Sequence, residues 1–301
     1  MRRRELLLAA LAAGKRPPGP VVDTHIHLFD PDRFPYHPRA TYRPPARKLE
    51  PYTEFVRRAA IDHAVIVHPE PYQDDHTSLD YFLAHEPRPG FFKATCLLDP
   101  TDPKTPARMK TLMEKHPGRI VGLRIHVNRK RGEPPTASGP IRDRDLRHPQ
   151  VAETWRAAGS LGLFVQMHFI PVHAPDIGAL AARFPETPVI LDHLARAGEG
   201  TPAEYGEVLK LARLPRVYMK FSAIRYSSKE EHPYRDVKPL VRRTFDAFGA
   251  DRIIWGAIGM SQDEFEKATE VFETHFDFAP DADRAKIRGR NALGLYGFRR
   301  A

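Results

Sequence analysis

The chain has 301 residues, a formal net charge of +9 and 41% hydrophobic residues, a composition typical of a folded globular protein. Its basic residues are scattered rather than clustered, so we expect no nucleic-acid partner and relate the charge to solubility and to attraction for small anions. No apolar run approaches the roughly 20 residues of a membrane span. The single cysteine, Cys96, excludes an intrachain disulfide.

The N-terminal segment differs in composition from the rest of the chain. Arg3 and Arg4 precede a short apolar stretch, Leu6–Ala13, and this arrangement resembles a twin-arginine export signal. We therefore predict a signal-like segment with a linker at 1–20 and one domain at 21–301. An amphipathic helix on a cytoplasmic protein is the alternative interpretation, so the predicted location is periplasmic or cytoplasmic.

After this segment, short β-rich runs alternate with stretches of helical periodicity. The predicted strands are Val21–Leu28, His63–His68, Phe92–Leu98, Ile120–His126, Leu163–His168, Val189–His193, Val217–Ser222 and Ile253–Ile258. Several are almost entirely apolar, which is typical of strands covered on both faces. Eight strands with intervening helices predict a single-domain (β/α)8 TIM barrel. A doubly wound open sheet is the alternative, but no Gly-rich phosphate loop follows any run.

Two connections are unusually long, Asp30–Leu49 after the first strand and Asn128–His148 after the fourth. In a barrel both lie at the carboxyl ends of the strands, where active sites are built. We interpret them as loops that cover the mouth of the barrel.

Histidines are concentrated at the strands. His25 and His27 lie one residue apart on the first strand, so their side chains point to the same face and could bind one metal ion. Other histidines lie at the ends of later strands: His68, His126, His168 and His193. Because a barrel gathers its strand ends into one ring, we expect these residues to form a functional site.

Four segments resemble the amidohydrolase superfamily: Asp23–His27, Gln166–His168, Ile190–His193 and Arg252–Gly256. The resemblance extends over about Val21–Phe298. It points to the amidohydrolase-related branch, which contains lactonases and metal-dependent decarboxylases. It implies a (β/α)8 barrel with its site at the carboxyl face.

The resemblance also implies roles for the histidines. His25, His27 and His168 match the ligands of a divalent metal, with zinc as the expected ion. His193 matches the histidine that positions or deprotonates the attacking water. Neutral imidazoles suit zinc, which lowers the pKa of a bound water toward about 7. Some members of the branch need no metal, so a metal-free site stays open.

The eighth strand departs from the family pattern. Ile258 stands where the family has an aspartate that serves as ligand or general base, and isoleucine can do neither. Three explanations are open: Glu70 or Asp263 supplies the carboxylate, His193 acts as base alone, or the chain binds a ligand without turning it over.

Cationic and hydroxyl side chains are expected around the ring, where they would bind an acidic substrate. Arginine in particular binds carboxylates bidentately. The candidates are Arg124, His126, Lys220, Arg225 and Tyr72, with Tyr226 and Ser222 as further hydrogen-bonding groups. Asp192, next to His193, is expected to face away from the barrel interior because side chains alternate along a strand.

We predict a hydrolase that opens a lactone or similar cyclic ester of a small acidic compound. One alternative is a metal-dependent decarboxylase on the same scaffold, in which Arg124 fixes a carboxylate near the ion. Another is a non-catalytic binder of small acids, which the isoleucine at position 258 would explain. A homodimer is an open alternative to a monomer.

Overall fold

The structure, a computed structural model, describes residues 19–298. The predicted export motif lies outside these residues and stays a prediction. Within the described part, no helix combines the length and the apolar character needed to cross a membrane.

The eight predicted strands are confirmed, and they form one parallel sheet in chain order. Their bounds are β1 Val22–Ile26, β2 His63–Val67, β3 Phe92–Leu97, β4 Ile120–Val127, β5 Phe164–Phe169, β6 Val189–Leu191, β7 Val217–Phe221 and β8 Ile253–Trp255. The sixth and eighth strands end before the predicted boundary because the backbone turns sharply at His193 and Ile258, where φ is positive.

A helix follows each strand, as the (β/α)8 barrel requires. The helices are α1 Leu49–Arg58, α2 Thr77–Ala84, α3 Thr105–Lys115, α4 Pro149–Ser160, α5 Ala174–Arg183, α6 Pro202–Lys210, α7 Lys238–Phe248, α8 Gln262–His275, α9 Asp281–Ala285 and α10 Asn291–Tyr296. Their apolar faces and the outer face of the sheet enclose the main hydrophobic core.

Side-chain hydrogen bonds join the two edges of the sheet. Thr24 Oγ1 on β1 donates to the carbonyl of Trp255 on β8 at 2.7 Å. Lys220 Nζ donates to the Thr24 carbonyl at 3.1 Å, and Asp23 Oδ1 accepts the Ala257 N–H at 2.9 Å. The barrel therefore closes at β1, the strand that carries His25 and is followed directly by His27.

The barrel interior is layered. Its floor is an apolar cluster of inward-facing strand residues and C-terminal aromatic residues: Val22, Val65, Phe164, Ile190, Ile254, Tyr296 and Phe298. Because side chains alternate along a strand, a residue two positions after a floor residue also faces inward, nearer the carboxyl end. Those residues are polar, and they form the layer that supports the site.

The two long loops differ in their placement. The first is pinned by a backbone bridge between Phe29 and Arg47 and contributes Tyr42, Pro44 and Arg47 to a cavity at the barrel mouth. The second is not part of the cavity wall. It contacts the first loop through Arg142 Nη1, which donates to Thr41 Oγ1 at 3.4 Å, and the Ile141 N–H donates to the buried side chain of Gln73 at 2.6 Å.

Candidate active site

A cavity of about 750 Å³ opens at the carboxyl ends of the strands. Three of the predicted histidines, His25, His27 and His193, line it together with Arg225 and Ile258. The expected convergence of residues distant in sequence is therefore present in the structure.

His25 on β1 and His27, directly after it, point toward each other, with their Nε2 atoms 3.1 Å apart. His27 Nδ1 lies 2.8 Å from the Val67 carbonyl, which can only accept, so Nδ1 carries the proton and Nε2 a lone pair. Burial lowers the pKa of His27 to about 3, which keeps the ring neutral at physiological pH. His27 is thus fixed in the tautomer that a metal ligand needs.

His25 has an unsatisfied nitrogen. Its Nδ1 is fully buried, has no hydrogen-bond partner and lies 3.8 Å from Asp192 Oδ1, whose charged partner is Lys220 Nζ at 3.2 Å. Because His27 Nε2 is an acceptor, His25 can bond to it only by donating its own Nε2 proton. That tautomer leaves a lone pair on His25 Nδ1 facing the carboxylate, an unfavourable pairing of two buried acceptors.

Asp192 is the centre of a buried charge network. Its Oδ2 accepts from Arg124 Nε and Nη2 at 3.1 and 3.0 Å and from Gln166 Nε2 at 2.9 Å, and its Oδ1 lies 3.2 Å from Lys220 Nζ. Burial alone would raise the pKa of Asp192, but Lys220 and Arg124 outweigh it and hold the pKa well below its usual range. Asp192 is therefore a carboxylate.

The expectation that Asp192 faces away from the interior is wrong. Ile190 belongs to the apolar floor inside the barrel and Leu191 packs outside against the helices, so alternation returns Asp192 to the interior. His193 follows the end of the strand and does not continue the alternation. Its backbone is left-handed, with φ 57°, and this turn directs the imidazole into the cavity.

The left-handed conformation continues through four residues, His193, Leu194, Ala195 and Arg196. None is glycine, and a left-handed turn costs L-residues roughly 1–2 kcal/mol each. Such strain persists where the surroundings enforce it, commonly at functional sites. Here the turn places two polar side chains beside the other histidines.

His193 is held by a serine at the end of β7. Its Nδ1 lies 2.7 Å from Ser222 Oγ, and its ring centroid lies 4.6 Å from that of His25 and 5.3 Å from that of His168. Burial, which outweighs the neighbouring Asp192 carboxylate, holds the pKa of His193 well below its ordinary value. The imidazole is therefore in its basic form.

His168 and His126 are opposite each other in the β4–β5 ladder, with ring centroids 4.9 Å apart. Neither is part of the cavity wall. In the described residues, the group of candidate metal ligands with all atoms within 4.8 Å of one another is His25, Asp192 and His193. His168 lies outside this group, and its Nε2 accepts a hydrogen bond from Arg196 Nη1 at 3.0 Å.

The predicted substrate-binding residues fall into two sets. Arg225 lines the cavity with Tyr226, over which its guanidinium lies at 4.6 Å from the ring centroid. Arg124 and Lys220 are buried against the Asp192 carboxylate rather than placed in the cavity wall. Tyr72 is buried too, and its hydroxyl accepts the Asp30 N–H at 2.8 Å.

Neither predicted substitute for the family aspartate reaches the cavity wall as a free carboxylate. Glu70 is buried and accepts from Gln73 Nε2 at 2.6 Å, and burial raises its pKa. Asp263 is 74% exposed and pairs with Lys267 on the outside of α8. Among the carboxylates considered, Asp192 is the one that reaches the histidines.

Ile258 lines the cavity in a left-handed conformation, with φ 59°. This is an outlier for a β-branched residue, whereas aspartate and asparagine adopt the region readily. The backbone at this position therefore has a conformation that suits aspartate, the residue expected from the family pattern, better than it suits isoleucine.

Sequence reasoning missed several residues of the site, among them Tyr42 and Arg196. Tyr42, on the first long loop, lines the cavity. Arg196 contacts His168, and its guanidinium lies over the Tyr226 ring at 4.1 Å from the centroid. Its position three residues after His193 could have marked Arg196 as a candidate. The direction of its side chain, however, depends on the left-handed turn.

A (β/α)8 barrel with converging histidines at its carboxyl end defines the class of amidohydrolase-type enzymes. Comparison with known families agrees. The chain matches the amidohydrolase family model over residues 22–298 and belongs to this family.

Similar proteins include two types of enzyme. The chain is 28% identical to the 4-sulfomuconolactone hydrolase of Hydrogenophaga intermedia over 295 residues, covering 93% of this chain and 89% of that protein. It shares its fold with a Pseudomonas putida protein assigned as 2-pyrone-4,6-dicarboxylic acid hydrolase, with a TM-score of 0.72, 21% identity and coverage of 94% and 99%. It also shares its fold with 2,6-dihydroxybenzoate decarboxylase from Rhizobium, with a TM-score of 0.64, 15% identity and coverage of 93% and 99%.

Proposed function

We propose that this protein hydrolyses a lactone of a small acidic compound, with His193 as general base. The observation that carries the proposal is a neutral His193, fixed by Ser222 at 2.7 Å and lining the cavity beside His25. The similarity to a 4-sulfomuconolactone hydrolase over most of both chains supports the same reaction type.

The tautomer of His193 follows from this role. If Nδ1–H donates to Ser222 Oγ, then Nε2 bears the lone pair and accepts a proton from water. The water oxygen attacks the lactone carbonyl, the ring C–O bond breaks, and the imidazolium returns the proton to the leaving alkoxide. The product is a hydroxy acid, and its carboxyl proton passes to solvent to leave the carboxylate.

Charge around the cavity favours an anionic substrate. Arg225 lines the cavity, and so does Arg47, which is paired there with Glu264 at 2.8 Å. The buried layer beneath combines Arg124 and Lys220 with one strong carboxylate, Asp192. The histidines are neutral because burial lowers their pKa values. A carboxylate or sulfonate on the substrate, and the oxyanion formed during attack, would offset this excess positive charge.

A divalent ion such as zinc fits the facing Nε2 atoms of His25 and His27. Two nitrogens of one tetrahedral zinc ion lie about 3.3 Å apart, close to the observed 3.1 Å. With an ion on Nε2, His25 would carry its proton on Nδ1, facing Asp192 Oδ1 at 3.8 Å, and this would remove the unfavourable approach of two acceptors. A bound ion would act as a Lewis acid on the lactone carbonyl.

The decarboxylase alternative relied on Arg124 to fix a substrate carboxylate. Arg124 is 3% exposed and directs Nε and Nη2 at Asp192. This engagement favours hydrolysis over decarboxylation. The binder alternative rested on Ile258, and a base supplied by His193 removes the need for a carboxylate there.

The test uses 4-sulfomuconolactone and 2-pyrone-4,6-dicarboxylate as substrates. Wild type should hydrolyse at least one of them, and His193→Asn should lower kcat by about 10²–10⁴-fold. His85→Asn, a control on an exposed histidine after α2, should retain wild-type kcat. Stoichiometric binding without turnover would support the binder instead, and carbon dioxide release from dihydroxybenzoates would support the decarboxylase.

A further inference from the structure

Arg196 is held in place by three contacts. Its Nη1 donates to His168 Nε2 at 3.0 Å, its Nε donates to Glu199 Oε1 at 2.8 Å, and its guanidinium stacks on Tyr226 at 4.1 Å from the ring centroid. Its side chain is 17% exposed. The left-handed turn that begins at His193 delivers Arg196 to this position.

The contact with His168 determines the state of that ring. A guanidinium can only donate, so His168 Nε2 must be the acceptor and Nδ1 must carry the proton. Asn128 lies beside Nδ1, with its Nδ2 at 3.4 Å and its Oδ1 buried without a partner. Turning this carboxamide by half a turn would let Oδ1 accept the Nδ1 proton.

A metal ion and Arg196 therefore compete for the same lone pair. His168 lies outside the group of candidate ligands, so it could join His25 and His27 only if its ring turned away from Arg196. It would also need an unprotonated nitrogen, and that nitrogen is the one to which Arg196 donates. The positive charge of Arg196 also opposes a second cation nearby.

We propose that Arg196 keeps His168 out of the metal set, so that a divalent ion binds to this chain weakly, through His25 and His27. The inference rests on the zinc site of the proposed function but not on its substrate. Arg196 is in this view the residue that sets metal affinity. Substituting Arg196 would leave the lone pair of His168 Nε2 available to a metal ion.

The experiment measures zinc affinity of the full chain without any substrate. Chelator-stripped wild type and Arg196→Gln are titrated with Zn²⁺ against a chromophoric chelator, and bound zinc is counted after equilibrium dialysis. Arg196→Gln should bind Zn²⁺ at least about tenfold more tightly, the size of effect that groups next to metal ligands commonly have. Equal affinities in the two proteins would overturn the proposal.

Arg225→Gln is the matched control, because the Arg225 guanidinium also lies over the Tyr226 ring but donates to the Tyr226 hydroxyl, at 3.1 Å, rather than to His168. This substitution removes one positive charge near the cavity and leaves the hydrogen bond from Arg196 to His168 in place. Its zinc affinity should stay within about twofold of wild type. A gain as large as that of Arg196→Gln would mean that charge alone sets the affinity, and the proposal would fail.

Two further variants separate the possible failures. Arg196→Gln combined with His168→Asn should return to wild-type zinc affinity. His168→Asn alone should leave wild-type affinity unchanged, and this measurement decides the question even if Arg196→Gln does not fold. A loss of tenfold or more in His168→Asn would show that His168 is already a ligand. Failure of lactone hydrolysis would affect none of these outcomes.

Discussion

Lys220 Nζ lies 3.2 Å from Asp192 Oδ1, and neither side chain is exposed to solvent. The pair is part of the layer beneath the histidines, so the charges that surround the reaction centre also hold the barrel together. Removing one member of a buried pair leaves the other charge without compensation, which costs far more than the loss of a surface pair.

Lys220→Met should therefore destabilise the protein by about 3 kcal/mol or more, because Asp192 would keep Arg124 but lose its contact on Oδ1. Urea denaturation at neutral pH measures the change. Lys210→Met, which breaks an exposed pair with Glu207, is the control and should cost about 0.5 kcal/mol or less. Equal effects of the two substitutions would contradict the role given to the buried network.

His68 should make the protein sensitive to acid. Burial lowers its pKa from 6.5 to about 4, although its Nε2 keeps a contact with the Gln73 carbonyl at 3.1 Å. Between these two values the unfolded chain takes up a proton that the folded chain does not, so stability falls as the pH falls. The shift corresponds to about 3 kcal/mol.

The measurement compares unfolding free energies at pH 7 and pH 4. In His68→Gln the loss of stability over this range should be about 3 kcal/mol smaller than in wild type. His85→Gln, which changes an exposed histidine, should follow the wild-type curve. Parallel curves for wild type and His68→Gln would show that His68 does not titrate as proposed.

Gly256, directly after β8, leaves room for the side chain of His25 because it has no Cβ. A Cβ at this position would lie 2.8 Å from His25 Cβ and 3.3 Å from Ser222 Cβ, and neither neighbour is the flexible end of a side chain. Gly256→Ala should destabilise the protein by about 1–3 kcal/mol through overpacking. It should also lower lactone hydrolysis, because it displaces the neighbour of His193.

Gly206→Ala is the matched control, since a Cβ there meets nothing within 4 Å inside α6. It should stabilise the protein by up to about 1 kcal/mol, the helix-propensity difference between glycine and alanine. Thermal unfolding and initial hydrolysis rates measure both variants. Wild-type activity in Gly256→Ala would indicate that the site tolerates movement of His25.

Much of the fold was predictable because its signals are local. The apolar runs that became β2, β3 and β7 begin at the predicted residues, and helical periodicity separates them. The family resemblance then identified which strand ends carry histidines. Burial of apolar strands on both faces and regular alternation are properties of short segments, so they can be read from the chain directly.

The roles of Asp192 and Arg196 were not predictable in the same way. Alternation predicted the wrong side for Asp192 because the left-handed turn, rather than the strand, directs His193 inward. Neither residue lies in a glycine or proline motif from which the left-handed turn at His193 could have been predicted. Its strain is tolerated because the surrounding packing enforces it, and packing depends on residues far away in sequence.

The sequence by itself determined the eight-stranded barrel and the histidines at its carboxyl end, because alternation and apolar character are set by neighbouring residues. Only the tertiary structure decided which side chains can contact a substrate. Arg124 and Lys220 are buried against Asp192, and His168 accepts a hydrogen bond from Arg196. His193, in contrast, faces the cavity. Those assignments depend on contacts between separate strands and loops, and such contacts exist only once the barrel has closed.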